Sequence, residues 1–368
     1  MFSLLSIFYY FYFSIVGIYI IFMPKVLSDI GYSASEIGII FAASPLIRFI
    51  LPFLFMRGLR LDANIFRIAL LLVIAAAFSF YHSIDSFYLL LASNIALGIA
   101  LSLILPYVEV IALDAIGKER YGKVRLFGSL GFIIVALVLV KFLSSPYVAL
   151  DFLLAMVVVM SISAFLVQKE LHKREHIELP KTNDVLLLRD YKLWLALLLM
   201  QMSFGSFYNF FTIYETDHGL SMDMTIYLWS FGVLVEVAML YGQGRFLQKN
   251  LLHVLEFTVA ATVVRWFLVY AFATNLAVLF FSQALHALSF ALFHSAAIAY
   301  LYQKYKNRSL AQQFFSGITY GLGGLSGALL AGYIYEYYPS LLFLSSSFIA
   351  LLSFVMLKWY EREPHAVA

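Results

Sequence analysis

Six side chains, Arg48, Glu109, Glu236, Arg265, His286 and His294, each interrupt an apolar run long enough to cross a membrane. A charge at mid-span costs about 2.5–3.5 kcal/mol even on insertion scales, so each is expected to face protein or a water-filled cavity. Glu236, Arg265 and the two histidines fall on three successive runs and form a candidate proton-handling group. Desolvation favours the neutral form of a carboxylate and a nearby guanidinium favours the charged form. Movement of Arg265 relative to Glu236 would therefore load or release a proton. Histidine needs only a small shift to titrate near neutral pH, and Ser282, His286, Phe290 and His294 recur every fourth residue on one helical face. The plainer alternative is a fixed ion pair that aligns helices, with His294 held by a packing hydrogen bond.

A second set reads as substrate-binding: Arg48, Glu109, Arg125, Phe132, Gln201, Tyr208 and Asn209. Asn94, Gly98, Ser102 and Glu109 share one side of a span, beside Pro106, which frees a backbone carbonyl. Arg125 lies in YGKVRLFGSLGF, where Glu109 can pair with it, or where it can snorkel from a helix end. Gln201, Gly205, Tyr208, Asn209 and Thr212 make a polar stripe that lines a cavity or joins helices. Phe132, Tyr208, Trp229 and Trp266 are candidates to stack on a planar substrate, while Asp114 and Glu215 lie nearer span ends. Gly317, Gly321, Gly323, Gly324 and Gly327 read as close helix packing, since no strand precedes them to build a phosphate loop.

The absence of cysteine excludes thiolate metal sites, thiol nucleophiles and disulfides. An intramembrane enzyme with His286, His294 and Glu236 as metal ligands is the rival from another class. It lacks HExxH or a comparable ligand pair. The expectation is no catalytic residue, no metal and no cofactor, hence not an enzyme.

These residues must be positioned by membrane helices. Of 368 residues, 63% are hydrophobic and only 12% charged, against roughly 25% charged in soluble domains. A span needs about 20 apolar residues, and twelve segments qualify, near 3–24, 35–56, 65–82, 86–113, 124–144, 147–168, 191–214, 222–243, 252–273, 276–302, 310–335 and 340–359. The first has no basic n-region and is read as a retained helix, not a cleaved signal. Lys and Arg crowd one set of connections, including Arg57, Arg60, Lys118, Arg120, Lys304, Lys306 and Arg308, whereas the opposite set carries Lys25 and Lys141. The positive-inside bias then places both termini in the cytoplasm. The basic residues form no groove-sized face, so nucleic acid is not an expected partner.

A polar stretch divides the spans into a six-helix bundle at 1–168, a cytoplasmic connection at 169–190 and a second bundle at 191–368. The bundles also repeat. GYSASEIG from Gly31 and GLSMDMTI from Gly219 are offset by 188 residues, and the same offset carries Arg48 onto Glu236. The expected fold class is an all-α membrane protein of two pseudo-symmetric bundles around a midplane site, the architecture of secondary carriers.

Helix number, loop charge, central connection and half-repeat together resemble the major facilitator superfamily (MFS fold). More narrowly, GYSASEIG, YGKVRLFGSLGF, YLWSFGVLVEV, VVRWFL and QALHALSFALFHSAA resemble the 3-phenylpropionate permease-like proton symporters along nearly the whole chain. A more distant similarity reaches lactose permease and its relatives. It implies that Glu109 and Arg125 stand where that family binds sugar, that Phe132 stands where it stacks an aromatic, and that Glu236, Arg265 and His286 match its charged group. That family's proton-carrying carboxylate is replaced here by Ser289, which leaves proton carriage to Glu236 or a histidine. The resemblance implies a secondary active transporter in the cell (inner) membrane, working as a monomer with a small-molecule substrate, protons and the lipid bilayer as its partners. Proton-coupled symport of an aromatic or other carboxylic acid is the leading expectation, and a sugar or nucleoside proton symporter is the alternative.

Overall fold

The computed structural model describes residues 1–57, 61–171, 185 and 187–362. Most of the expected 169–190 connection lies outside them, as does Arg60. Among the described residues, twelve helices are long and apolar enough to span a membrane: α1 (Phe2–Asp29), α2 (Ala34–Leu54), α3 (Ala63–Ser83), α4 (Phe87–Gly117), α5 (Arg120–Phe142), α6 (Pro146–Glu170), α7 (Tyr191–Asp217), α8 (Met222–Gly242), α9 (Leu251–Ala271), α10 (Leu276–Lys304), α11 (Leu310–Tyr337) and α12 (Pro339–Glu361). Outward faces carry Leu71, Phe78, Ile162 and Phe348, all more than half exposed, as expected of helices whose solvent is lipid.

The half-repeat is visible in backbone geometry. α1 and α7 both end in a glycine with positive φ, Gly31 at 104° and Gly219 at 91°. In each turn, the residue after the glycine donates five residues back: Tyr32 N–H to Leu27 O and Leu220 N–H to Glu215 O, both 3.0 Å. This helix-ending motif needs the left-handed conformation that glycine adopts without penalty. The first helix runs to Asp29, beyond the end expected near Pro24, because proline is tolerated where a π turn at Ile18–Phe22 gives way to a new helical segment.

Among the described residues the bundles meet chiefly through α2 with α11, α5 with α8, and α1 with α7. Small residues set the first. A Cβ on Gly38 would lie 2.7 Å from Ala328 O, and one on Gly321 would lie 2.6 Å from Phe49 N. The α1–α7 contact involves the second half of each helix, at the end of the molecule remote from the termini, termed the distal end below. There Lys141 pairs with Asp223 across α5 and α8. At the same end the Ser35 N–H donates to Glu336 Oε2 at 2.7 Å across α2 and α11.

Candidate functional site between the bundles

Helices α7 to α11 build the densest polar group. Arg265 of α9 is fully buried, with its guanidinium 4.4 Å from the Phe207 and Trp266 rings. Its NH1 donates to His286 Nδ1 at 2.8 Å and to Ser289 Oγ at 3.0 Å, and its NH2 donates to Gln283 Oε1 at 3.0 Å. Arginine only donates, so His286 Nδ1 must accept. The imidazole is therefore neutral, with its proton on Nε2, which faces Glu236 Oε2 at 3.4 Å. The sequence reading set Glu236 directly against Arg265. The structure instead inserts His286 between them as a polarised bridge, and Ser289, where the resembled family has a carboxylate, serves Arg265 as a neutral acceptor.

A π turn at Ala287–Leu292 separates His286 from His294 on α10. His286 stacks on Phe290, with centroids 5.2 Å apart. His294 shares a 2.7 Å hydrogen bond with the Tyr320 hydroxyl of α11, and the charges acting on it are Arg125 of the other bundle and Glu236. It is thus exposed, held by one phenol and within the field of charges from both bundles.

Arg48 sits mid-way along α2 and is exposed. Its charge acts on the hydroxyls of Tyr12, Tyr208 and Tyr320, from helices of both bundles, so its exposed face is the cleft. No carboxylate pairs with it among the described residues. Tyr208 also feels Glu236 and Arg265, and Gln201 lies against it. Asn209 spends its amide on Gly205 O of its own helix, at 2.7 Å. That leaves Gln201 and Tyr208 as the cleft-side part of the α7 stripe.

In the first bundle, Glu109 accepts from the Tyr121 hydroxyl at 2.9 Å. Arg125 lies over the Phe13 ring at 4.2 Å and the Tyr9 ring at 5.6 Å. The two charges act on the same tyrosines, Tyr9 and Tyr121, with no direct ion pair. Phe132 meets Trp229 across the bundles with centroids 6.3 Å apart. The indoles of Trp229 and Trp266 are engaged by Thr212 and Ser203, at 3.1 and 3.2 Å, and both rings are buried. They are packing elements, not free stacking surfaces. Asn94 of α4 is buried and accepts from Tyr19 of α1. Sequence reasoning missed Gln283 and Tyr320. Gln283 stood one turn before His286, a spacing that would have found it, and the 188-residue offset that sets Tyr320 opposite Phe132 would have found Tyr320.

Among the described residues His253, Glu256 and Glu361 have metal-like spacing, but Lys358 already bridges the two carboxylates at 2.6 and 3.0 Å. Among the described residues the charged groups thus gather where the two bundles meet, an arrangement suited to binding a polar solute.

Comparison with known proteins agrees with this geometry. Residues 2–345 match the MFS_1 like family. A probable 3-phenylpropionic acid transporter of Escherichia coli (strain K12) is 25% identical over 361 residues, covering 94% of each chain. The nucleoside transporter NupG has a similar fold, with a TM-score of 0.81 at 14% identity over 99% of both chains. So does the human organic anion transporter MFSD10, with a TM-score of 0.65 at 14% identity over 97% of this chain and 98% of that one. A twelve-helix chain with charges gathered between two repeated bundles, matched along nearly its whole length, belongs to the MFS_1-like family and is a transporter of the major facilitator type.

Proposed function

We propose that this transporter carries a small carboxylic acid, an aromatic one such as 3-phenylpropionate, in symport with protons by alternating access of its two bundles. The observation that carries the reading is Arg48. An exposed guanidinium in mid-membrane, whose charge reaches tyrosines of both bundles and which has no carboxylate partner among the described residues, is suited to receive the carboxylate of a solute. The named relative supports the choice of acid. Tyr12, Tyr208 and Phe132 supply the aromatic walls, and Gln201 a further polar contact.

Glu236 is the proposed proton carrier. Arg265, held by three neutral acceptors, polarises His286 toward it, so protonation of Glu236 and the field of Arg265 are linked through one imidazole. The cell inner membrane, cytoplasmic termini and monomeric action complete the proposal. They are supported by the basic connections at the termini side and by charged groups of one chain that gather where its two bundles meet. Glu109 with Tyr121 and Arg125 favours a second reading, a sugar or nucleoside substrate, because hydroxyl-rich ligands suit that trio.

Proteoliposomes with an imposed inward proton gradient test the proposal. Wild type should accumulate labelled 3-phenylpropionate, and collapse of the gradient should release it. Competition by nucleosides or sugars but not by other carboxylic acids would transfer the case to the second reading, and accumulation indifferent to the gradient would remove proton coupling.

A further inference from the structure

The polar stripe of α7 continues past Thr212. Glu215 follows Tyr208 by seven residues, about two helical turns, and so lies on the same face. Its side chain is fully buried, and neither carboxylate oxygen has a hydrogen-bond partner among the described residues. Its backbone carbonyl accepts the bond that ends the helix, so the side chain belongs to the last turn, where the helix dipole is negative and disfavours an anion.

The repeat makes the anomaly sharper. Leu27 of α1 holds the equivalent position, accepts the equivalent bond from Tyr32, and is also fully buried. A site that one half fills with leucine holds a carboxylic acid in the other. Nearby charges are committed elsewhere. On α1, Lys25 pairs with Asp29; on α5 and α8, Lys141 pairs with Asp223. On α2, Glu36 accepts from Ser33 N–H at 2.9 Å; on α11, Glu336 accepts from Ser35 N–H at 2.7 Å. Asp217 accepts from Tyr335 at 2.6 Å, and His218 Nδ1 lies 2.7 Å from Tyr214 O. The phenols of Tyr214 and Tyr335 feel Glu215, and Tyr270 of α9 acts on Tyr214.

This half of α7 packs against the distal half of α1. We propose that Glu215 is a proton-operated latch: the distal ends of α1 and α7 close only when its carboxylate has taken a proton from the distal aqueous phase. An unpaired carboxylate is far costlier to enclose than the acid, so closure selects the protonated form. Parting of the two helices lets the O–H bond break and the proton return to water. The inference deepens the proton coupling proposed above by adding a second protonation site at the gate, and its test needs no substrate.

The natural absence of cysteine makes the test clean. Val26 of α1 is 4% exposed in the distal segment, so Val26→Cys should react with N-ethylmaleimide only when that end opens. The rate is measured across a pH series, with and without Glu215→Gln. Thiolate chemistry cancels in the ratio of the two rates. The latch predicts that the ratio, the rate with Glu215 intact over the rate with Glu215→Gln, climbs as pH rises, because only the native acid can deprotonate and hold the end open. Glu215→Leu, which copies Leu27, should behave as Glu215→Gln and guards against a folding artefact in either variant. A ratio flat with pH, or faster labelling in the Glu215→Gln and Glu215→Leu variants than in the native background, overturns the proposal. Failure of symport in proteoliposomes alongside a climbing ratio would instead count against the transport reading alone.

Discussion

At the end of α1 the chain turns through Gly31, and 188 residues later, at the end of α7, it turns through Gly219 with the same hydrogen bonds. The side chains that the two turns follow are not alike. Leu27 answers Glu215, and mid-way along the next helix Arg48 answers Glu236. In the first bundle the charges are loosely held: Arg48 faces the cleft, Arg125 rests on aromatic rings and Glu109 takes one phenol. In the second, Arg265 is buried with three acceptors on its terminal nitrogens, its Nε without a partner among the described residues, and is linked to Glu236 through His286. The repeat keeps the backbone, and under the proposed function the two halves divide the labour. A loosely held cation suits a ligand that must come and go, whereas a buried network suits a proton, which needs no room.

That contrast can be broken at several points. The largest effect is expected at the helix contacts. Gly17 and Gly205 are repeat equivalents, but a Cβ on Gly205 would lie 2.2 Å from Gly327 O, whereas one on Gly17 would lie 3.1 Å from a Val135 methyl. Backbone cannot yield as a methyl can, so Gly205→Ala should destabilise by about 3 kcal/mol or more and Gly17→Ala by about 1 kcal/mol, as thermal unfolding in detergent would read. Equal midpoints would show that the α7–α11 contact is slack.

Arg48→Gln should weaken 3-phenylpropionate binding by about tenfold to a hundredfold, the worth of a charge-assisted hydrogen bond to a carboxylate. Glu236→Gln should leave that affinity within about threefold and abolish accumulation driven by a pH gradient. Comparable loss of affinity in both would erase the division of labour. Ser289→Ala deprives the buried Arg265 of one acceptor and should cost about 1–3 kcal/mol of stability. The smallest change is expected from Tyr121→Phe, which removes one half-buried hydrogen bond and should cost about 1 kcal/mol. An effect on stability larger than that of Ser289→Ala would mean that the Glu109 group is the tighter of the two.

Hydropathy made the twelve spans legible because lipid imposes length and composition on each helix separately. The repeat was legible through paired motifs, and Gly31 and Gly219 adopt the same backbone geometry. Contacts were harder. A sequence shows that Glu236, Arg265 and His286 lie on successive helices but not how those helices are rotated, so the order Arg265, His286, Glu236 came only from geometry. The break at Phe204 and the π turns in α1, α10 and α11 left no periodic signal, since one extra residue per turn changes phase without changing composition. Glu215 looked like an ordinary span-end acid because burial by neighbouring helices is not written in its own segment.

Calorimetric titration of 3-phenylpropionate into the purified transporter, repeated in buffers of different ionisation enthalpy, counts protons taken up with the ligand and probes both bundles at once. The account predicts proton uptake on binding in wild type, tight binding without proton uptake in Glu236→Gln, and loss of binding in Arg48→Gln. Undiminished proton uptake in Glu236→Gln, or undiminished affinity in Arg48→Gln, would contradict it.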